Sequence, residues 1–426
     1  MPDRSKAPLI HDAVTFDYQL PPLQKNLFPN GQTLYWLRAG VQEVLSIDWV
    51  MPAGIWQEPK QGVAQATAAL LKSGTTTRTA EQINEAFEFY GANLQVSCNN
   101  DWATVSLYCL RKHLSKLLPV VKDILENAVF PEKELMLYQQ NALQKLLVSL
   151  RQCDFVANQK IDAVIFGSHH PYGRYTTKES IEAITQDDLL GFYRSHYASS
   201  PQHIFLSGYV TDVEISAIET YFGTTTLLSK KQEENQFEKM GHPDKKHFIT
   251  NDPNGVQGAI RIGRSFINRQ HPDFAPMVVL NTLLGGYFGS RLMSNIREDK
   301  GYTYGIYSSQ IPFKNEGILF IQTEVGKEVI APALQEIYVE MDKLCQEKVS
   351  DDELLLVKNY LLGNLLGDLD GPFHLMPRWR SLILNGFTEA HFNQNIAVYK
   401  TITQAEIQTL AQRYFVKDDF YEVVVV

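Results

Sequence analysis

Apolar and polar positions change period several times along the chain, and each change marks an element. "GQTLYWLRA" (31–39) and "VLSIDWVMPAG" (44–54) carry the β-branched and aromatic density of strands, and the second runs into a Gly-bounded turn. "GVAQATAALLKSGT" (62–75) reads as a helix. Thr79 and Gln82 have capping-box spacing, so a second helix is predicted from Thr79 to just before Gly91. "ANLQVSC" and "WATVSLYCL" predict a hairpin through Asn99, Asn100 and Asp101. Long amphipathic helices are predicted over 112–128 and 131–165, and "IFLSGYV" (204–210) closes this half as a strand.

The second half repeats the order. "VQGAIRIGRSF" (256–266) is strand-like, 272–284 is an apolar helix, and "YGIYSSQ" with "GILFIQTEV" predicts another hairpin. Helices follow over 329–347 and 351–366. "ITQDDLLGFYRSHY" (184–197) matches "ITQAEIQTLAQRYF" (402–415), and "FPEKELMLYQQNALQKLL" (130–147) matches "VSDDELLLVKNYLLGNLL" (349–366), both near 218 residues apart. The expected fold is therefore α+β, with two tandem homologous domains, each an antiparallel-rich β-sheet with helices packed on one face. The expected division is 1–228, a linker at 229–248 within the charged run "LLSKKQEENQFEKMGHPDKKHF", and 249–426.

Composition narrows the function classes. A formal charge of −9 argues against nucleic acid or an anionic membrane as partner. No run reaches the roughly 18 apolar residues of a membrane span. The four cysteines, Cys98, Cys109, Cys153 and Cys345, form no CxxC, and read as reduced and mostly buried thiols. A cytoplasmic location is expected, though a periplasmic chain trimmed of its signal would read the same.

No GxSxG, P-loop, HExxH or HxxEH is present. "SHHPYG" (168–173) reads as a polar loop, His242 and His247 as solvated linker residues, His196 as a helix C-terminal residue, and "GPFHLMPRWR" (371–380) as a helix start with Pro372 near its first position. One constellation stands apart, "LLGGYFGSRLMSNIREDKGYTYGIYSS" (283–309). Gly285, Gly286 and Gly289 give a loop that a ligand backbone can approach. A short helix carries Arg297, and Tyr304 follows seven residues later at a strand start. The plain reading makes Arg297 a surface ion-pair partner and Tyr304 half-buried strand filler. The other reading makes them a guanidinium and a phenol donating to a carbonyl that becomes an oxyanion.

With "FPEKEL", "HPYGRY" and "ESIEAIT", this stretch and the duplicated halves resemble the pitrilysin/insulinase family of zinc metallopeptidases over about residues 25–426. The branch it is most similar to is that of bacterial subunits like the mitochondrial processing peptidase. The resemblance implies a clam-shell half with an HxxEH zinc helix in the first domain, within a G-x-A-H-x-x-E-H-x-x-x-x-G-T frame. Here Gly62, Ala64, Gly74 and Thr75 keep that frame, while Gln65 and Ala69 stand where the histidines would be and Ala68 where the catalytic Glu would be. The third ligand position falls near Lys145, and no Glu lies between Glu134 and Glu179. Zinc needs at least three N, S or carboxylate ligands and a base for its water. This chain is thus expected to bind no metal and to cleave no peptide alone.

Arg297 and Tyr304 keep the family's substrate-polarising pattern, so the resemblance implies a homologous HxxEH subunit that supplies zinc. The two chains would form a heterodimer acting on unfolded peptides, with Gly285, Gly286 and Gly289 giving the substrate room. Two other readings stay open: a proteolytically inactive scaffold like the core proteins of respiratory complexes, and a peptide-binding homodimer.

Overall fold

The computed structural model of the chain describes residues 11–198, 203–224 and 236–426. In the first repeat, β1 (Gln24–Leu27), β2 (Thr33–Arg38), β3 (Val44–Met51), β4 (Asn93–Cys98), β5 (Ala103–Leu110) and β6 (His203–Gly208) form one sheet ordered β1-β2-β6-β3-β5-β4. β2 and β6 are parallel, and β3 runs antiparallel to both β6 and β5. The hairpin β4–β5 pairs Cys98 with Ala103 across the Asn-Asn-Asp turn predicted from sequence.

Alternation along β3 and β5 sends Ile47, Trp49, Val105 and Leu107 into a core with Val63, Ala66, Leu117 and Val121 from the helices Val63–Leu70 and Leu114–Asn127. The opposite face carries Asp48, Ser106 and Tyr108. Arg380 and Ser106 both donate to the Asp48 carboxylate, at 2.5 and 2.6 Å, and Phe373 lies edge-on to Tyr108. Both Phe373 and Arg380 belong to the helix Pro372–Leu384, which starts at Pro372 as expected.

The second repeat has β7 (Lys246–Ile249), β8 (Gln257–Phe266), β9 (Ile306–Pro312), β10 (Gly317–Gly326) and β11 (Tyr421–Val425). The pairing pattern recurs: β7 is parallel to β11, β11 is antiparallel to β8, and β9–β10 is an antiparallel hairpin. The helices that precede the closing strands start alike. Thr185 with Asp188 and Thr403 with Glu406 form capping boxes at Gln186–Tyr193 and Gln404–Tyr414. By contacts the chain divides into two compact units. One holds 22–265, 371–380 and 421–426, and the other holds the residues before Pro22 with 266–370 and 381–420.

Several local expectations need correction. The helix expected over 131–165 is two, Glu132–Ser149 and Cys153–Phe166. The N–H groups of Leu150, Arg151 and Gln152 fold back onto Leu146, Val148 and Ser149, ending the first helix without a Gly or Pro. Cys153–Phe166 packs on β11, and its Asn158 accepts from the Arg261 guanidinium at 2.7 Å. The first residues of the linker expected at 229–248 lie outside the described residues, and its last become β7, where His247 sits. His170 is no polar loop residue. It is buried, stacked on Phe166 and edge-on to Trp56. All four cysteines are free, but only Cys109 is fully buried.

Candidate functional site

Two regions carry the candidate residues. The first is the helix Val63–Leu70, entered through Gly62, whose φ of 87° is a left-handed conformation that favours glycine. A residue that the sequence did not single out fixes this entry. Glu58 is buried and accepts from the N–H groups of Gly62 and Ala64 at 3.0 and 3.2 Å, holding two donors at the helix start. Burial pushes its carboxyl up to about 7, against the opposing pull of those two hydrogen bonds and of Arg174. Burial, with the Glu58 charge beside it, pushes the Cys98 thiol up to about 12, so no thiolate nucleophile is available there at neutral pH. Tyr138 is raised by burial first, and then by Cys98 and Glu58.

On this helix Gln65 and Ala69 are exposed and Ala68 is buried. Lys145 is exposed on Glu132–Ser149, which packs against Val63–Leu70. An amide, two methyl groups and an ammonium do not make a zinc site, because only the amide oxygen can donate a lone pair to the ion. Among the described residues no group of three His, Cys, Asp or Glu side chains is placed to hold a metal. The donor set at this helix does not fit zinc.

The second region is the turn that bears Arg297. Met293–Asp299 is a π-helical turn anchored by buried Met293 and Ile296. The Asn295 amide secures it further by donating to Glu336 and Glu340. The Arg297 guanidinium lies 4.6 Å from the centroid of the Phe288 ring, and its Nη1 is 3.9 Å from Glu298 Oε1, beyond hydrogen-bond distance. Among the described residues its N–H donors have no hydrogen-bond acceptor.

Tyr304 sits two residues before β9 and is 93% exposed, which overturns the reading of it as half-buried strand filler. Its backbone is nonetheless fixed. Thr303 Oγ1 donates to the Glu324 carbonyl at 2.7 Å and accepts from the Gly305 N–H at 3.1 Å. No hydrogen bond joins Arg297 to Tyr304. Each presents a free donor group from a held backbone, as electrostatic stabilisation of a developing oxyanion requires.

The three glycines differ from one another. A Cβ on Gly285 would stand 2.7 Å from the Ser308 backbone nitrogen and 2.9 Å from Leu292 Cδ1. The bare backbone thus lets the turn Thr282–Gly286 seat against β9. Gly286 and Gly289 are exposed, and the Tyr287 ring lies over Gly289. Arg291 ties the end of this loop to the helix Asp351–Gly367 by a two-pronged pair with Glu353, at 2.8 and 2.9 Å. Glu58 and Phe288 had no signal in the sequence, since a lone Glu before a Pro-Lys turn and one loop aromatic are ordinary residues.

Comparison with known proteins identifies the fold and the family. Residues 41–163 match the insulinase (peptidase family M16) model, and residues 183–361 match the peptidase M16 inactive domain. The chain is 23% identical to the uncharacterized zinc protease YmxG of Bacillus subtilis, over 78% of this chain and 80% of that one. It is also 23% identical to the probable mitochondrial-processing peptidase subunit beta of Arabidopsis thaliana, over 82% of this chain and 68% of that one. Among solved structures, a peptidase M16 inactive domain from Pseudomonas fluorescens superposes with a TM-score of 0.84 at 20% identity, covering 95% of this chain and 98% of that one. A protease from Helicobacter pylori gives 0.86 at 16% identity, covering 96% and 100%. With two repeats of like strand pairing and matches to both family models, the chain belongs to the pitrilysin/insulinase (M16) family of peptidases.

Proposed function

We propose that this chain is the non-catalytic, substrate-binding subunit of a two-chain zinc peptidase. Its partner is a homologous subunit bearing HxxEH, which supplies the zinc and the general base. Arg297 and Tyr304 of this chain donate to the scissile carbonyl of an unfolded peptide and stabilise the tetrahedral oxyanion. The observation that carries this reading is a contrast. The helix that would hold zinc carries Gln65, Ala68 and Ala69, of which only the Gln65 amide could offer a lone pair, while the Tyr304 hydroxyl and the Arg297 guanidinium have no hydrogen-bond partner among the described residues.

The names of its relatives support it: several are uncharacterized zinc proteases by name, and the Arabidopsis relative is a subunit by name. In the proposed complex zinc would activate water, and this chain's residues would bind and polarise the carbonyl. We further propose that the duplication boundary falls at 229–248. The test is peptide cleavage by this chain, by an HxxEH homologue from the same organism, and by their mixture. The reading expects the mixture to exceed the homologue alone. A mixture no faster than the homologue would favour a scaffold or a peptide-binding homodimer.

A further inference from the structure

The two repeats treat one corner differently. In the first, Val63–Leu70 packs on Gln186–Tyr193, and in the second, Phe274–Asn281 packs on Gln404–Tyr414. Counted from the strand before each helix, Lys60 is the ninth residue after Met51, and Ala275 is the ninth after Phe266. The Lys60 ammonium donates to the Ala183 carbonyl and, at 2.7 Å, to Asp188 Oδ2. That oxygen also accepts from the N–H and the hydroxyl of Thr185, at 2.9 and 2.8 Å. The lysine thus ties the entry of Val63–Leu70 to the start of Gln186–Tyr193.

At the repeat spacing of 218 residues, Ala183, Ile184 and Asp188 correspond to Thr401, Ile402 and Glu406. The carboxylate is held as before: Glu406 Oε2 accepts from the N–H and the hydroxyl of Thr403, at 2.8 and 2.7 Å. No lysine comes from the helix entry, because Ala275 stands there. Instead, Thr401, Ile402 and Glu406 line a cavity of about 370 Å³ with Pro276, Val398 and Leu410. Nearby cations have other partners. Arg413, on the cavity wall, donates to Asp273 at 2.7 Å. Lys358 donates to the Lys400 carbonyl at 3.1 Å and acts on Glu406 only through its field.

The chemistry of the cavity narrows its occupant. Its volume is more than ten times the roughly 30 Å³ share of one water, room for a side chain rather than a bare ion. Apolar walls with a carboxylate at an exposed rim suit a methylene stem that ends in a compact ammonium. A guanidinium binds best to both oxygens of a carboxylate, and one Glu406 oxygen already holds Thr403. A divalent cation would need more oxygen ligands than this rim offers.

We infer that this cavity receives a lysine side chain from a partner protein. The incoming ammonium sits on Glu406 as that of Lys60 sits on Asp188, and its stem lies along Pro276, Val398 and Leu410. The first repeat supplies its own lysine at the matching corner, whereas the second takes one from outside. The site shares no residue with Arg297 and Tyr304 and needs none of the chemistry proposed for them.

The test uses the full chain with carbon-13 in its isoleucine δ1 methyl groups, observed by NMR. The probes are the peptide acetyl-Ala-Ala-Lys-Ala-Ala-amide, the same peptide with norleucine for lysine, and 1,5-diaminopentane. The lysine peptide should shift the Ile402 methyl with a Kd in the millimolar range, about fivefold tighter than the norleucine peptide, the scale of one partly exposed charge pair. Glu406→Gln keeps an acceptor for Thr403 but loses the charge, and should abolish that difference. Lys60→Ala should open the matching corner of the first repeat, so that the lysine peptide then shifts the Ile184 methyl as well. An Ile402 methyl that the lysine peptide does not move overturns the site. So do equal affinities of the two peptides, or a lysine preference that persists in Glu406→Gln. An unmoved Ile184 methyl in Lys60→Ala breaks the equivalence of the two corners on which the assignment stands. Tighter binding of 1,5-diaminopentane than of the lysine peptide overturns a protein lysine as the occupant in favour of a free amine.

Discussion

The Arg297 guanidinium rests 4.6 Å from the centre of the Phe288 ring, while its nearest carboxylate, that of Glu298, stays 3.9 Å away. The ring fixes where the charge points without consuming its hydrogen-bond donors. A close two-pronged pair would have done the opposite, because it occupies the donors that a substrate carbonyl needs, whereas the Arg297–Glu298 ion pair is long. Arg291, six residues earlier, shows that alternative: its fork is closed on Glu353 and its role is structural. One arginine of this segment holds the loop, and in the proposed function the other is left to meet the substrate carbonyl.

The first prediction concerns metal. After dialysis against zinc and removal of excess, the purified chain should hold well under one zinc per chain by elemental analysis. Gln65→His should not change that, since one imidazole still lacks the further ligands zinc requires. One tightly held zinc per unmodified chain would contradict the argument from the donor set.

The helix entry makes a prediction about pH. The Glu58 carboxyl is raised from 4.5 to about 7 by burial, so the folded chain holds its proton more tightly than the unfolded chain does. The stabilisation from this group is complete below about 4.5 and is lost as pH rises through about 7. Glu58→Gln removes the titration but keeps an acceptor oxygen for the Gly62 and Ala64 N–H groups. Urea unfolding from pH 5 to 8 should show the unmodified chain losing stability relative to the variant, by at most about 1.4 kcal/mol per pH unit. Parallel profiles for the two proteins would assign the raised carboxyl no role in stability.

The loop glycines should respond unequally to a methyl group. Gly285→Ala drives Cβ onto the Ser308 backbone and should cost about 1–3 kcal/mol by overpacking. Gly286→Ala meets nothing nearer than Thr282 Oγ1 at 3.2 Å and the Asn281 carbonyl oxygen at 3.3 Å, looser contacts than those at Gly285, so its loss should be smaller. Thermal unfolding of the two variants checks the order, and equal losses would mean that the approach to Ser308 does not constrain the loop.

Much of the fold was legible because period and turn chemistry agree locally. The Thr79–Gln82 box, the Asn-Asn-Asp hairpin and the Pro372 helix start were read directly from residue types, and all three are present. Long-range partners left no such trace. The break at Leu150–Gln152 has no Gly or Pro, and the helix that follows is set by packing on β11, a strand near the far end of the chain. β7 hides in a charged run because an edge strand with alternate exposure needs little apolar content. At the candidate site, spacing singles out Arg297 and Tyr304 as candidates, but the contacts of Glu58 and Phe288 come from neighbours that only the fold supplies.

The central claim is that Arg297 and Tyr304 work on a carbonyl cleaved by another chain's zinc. The most direct measurement is kcat/KM for a fluorogenic peptide, using the complex assembled from this chain and an HxxEH homologue, with Arg297→Ala and Tyr304→Phe each introduced here. Size-exclusion chromatography first establishes that both variants still assemble. Each should lower kcat/KM by about 10²-fold, the scale of one lost oxyanion donor. Rates unchanged in both variants, with assembly intact, would contradict the account.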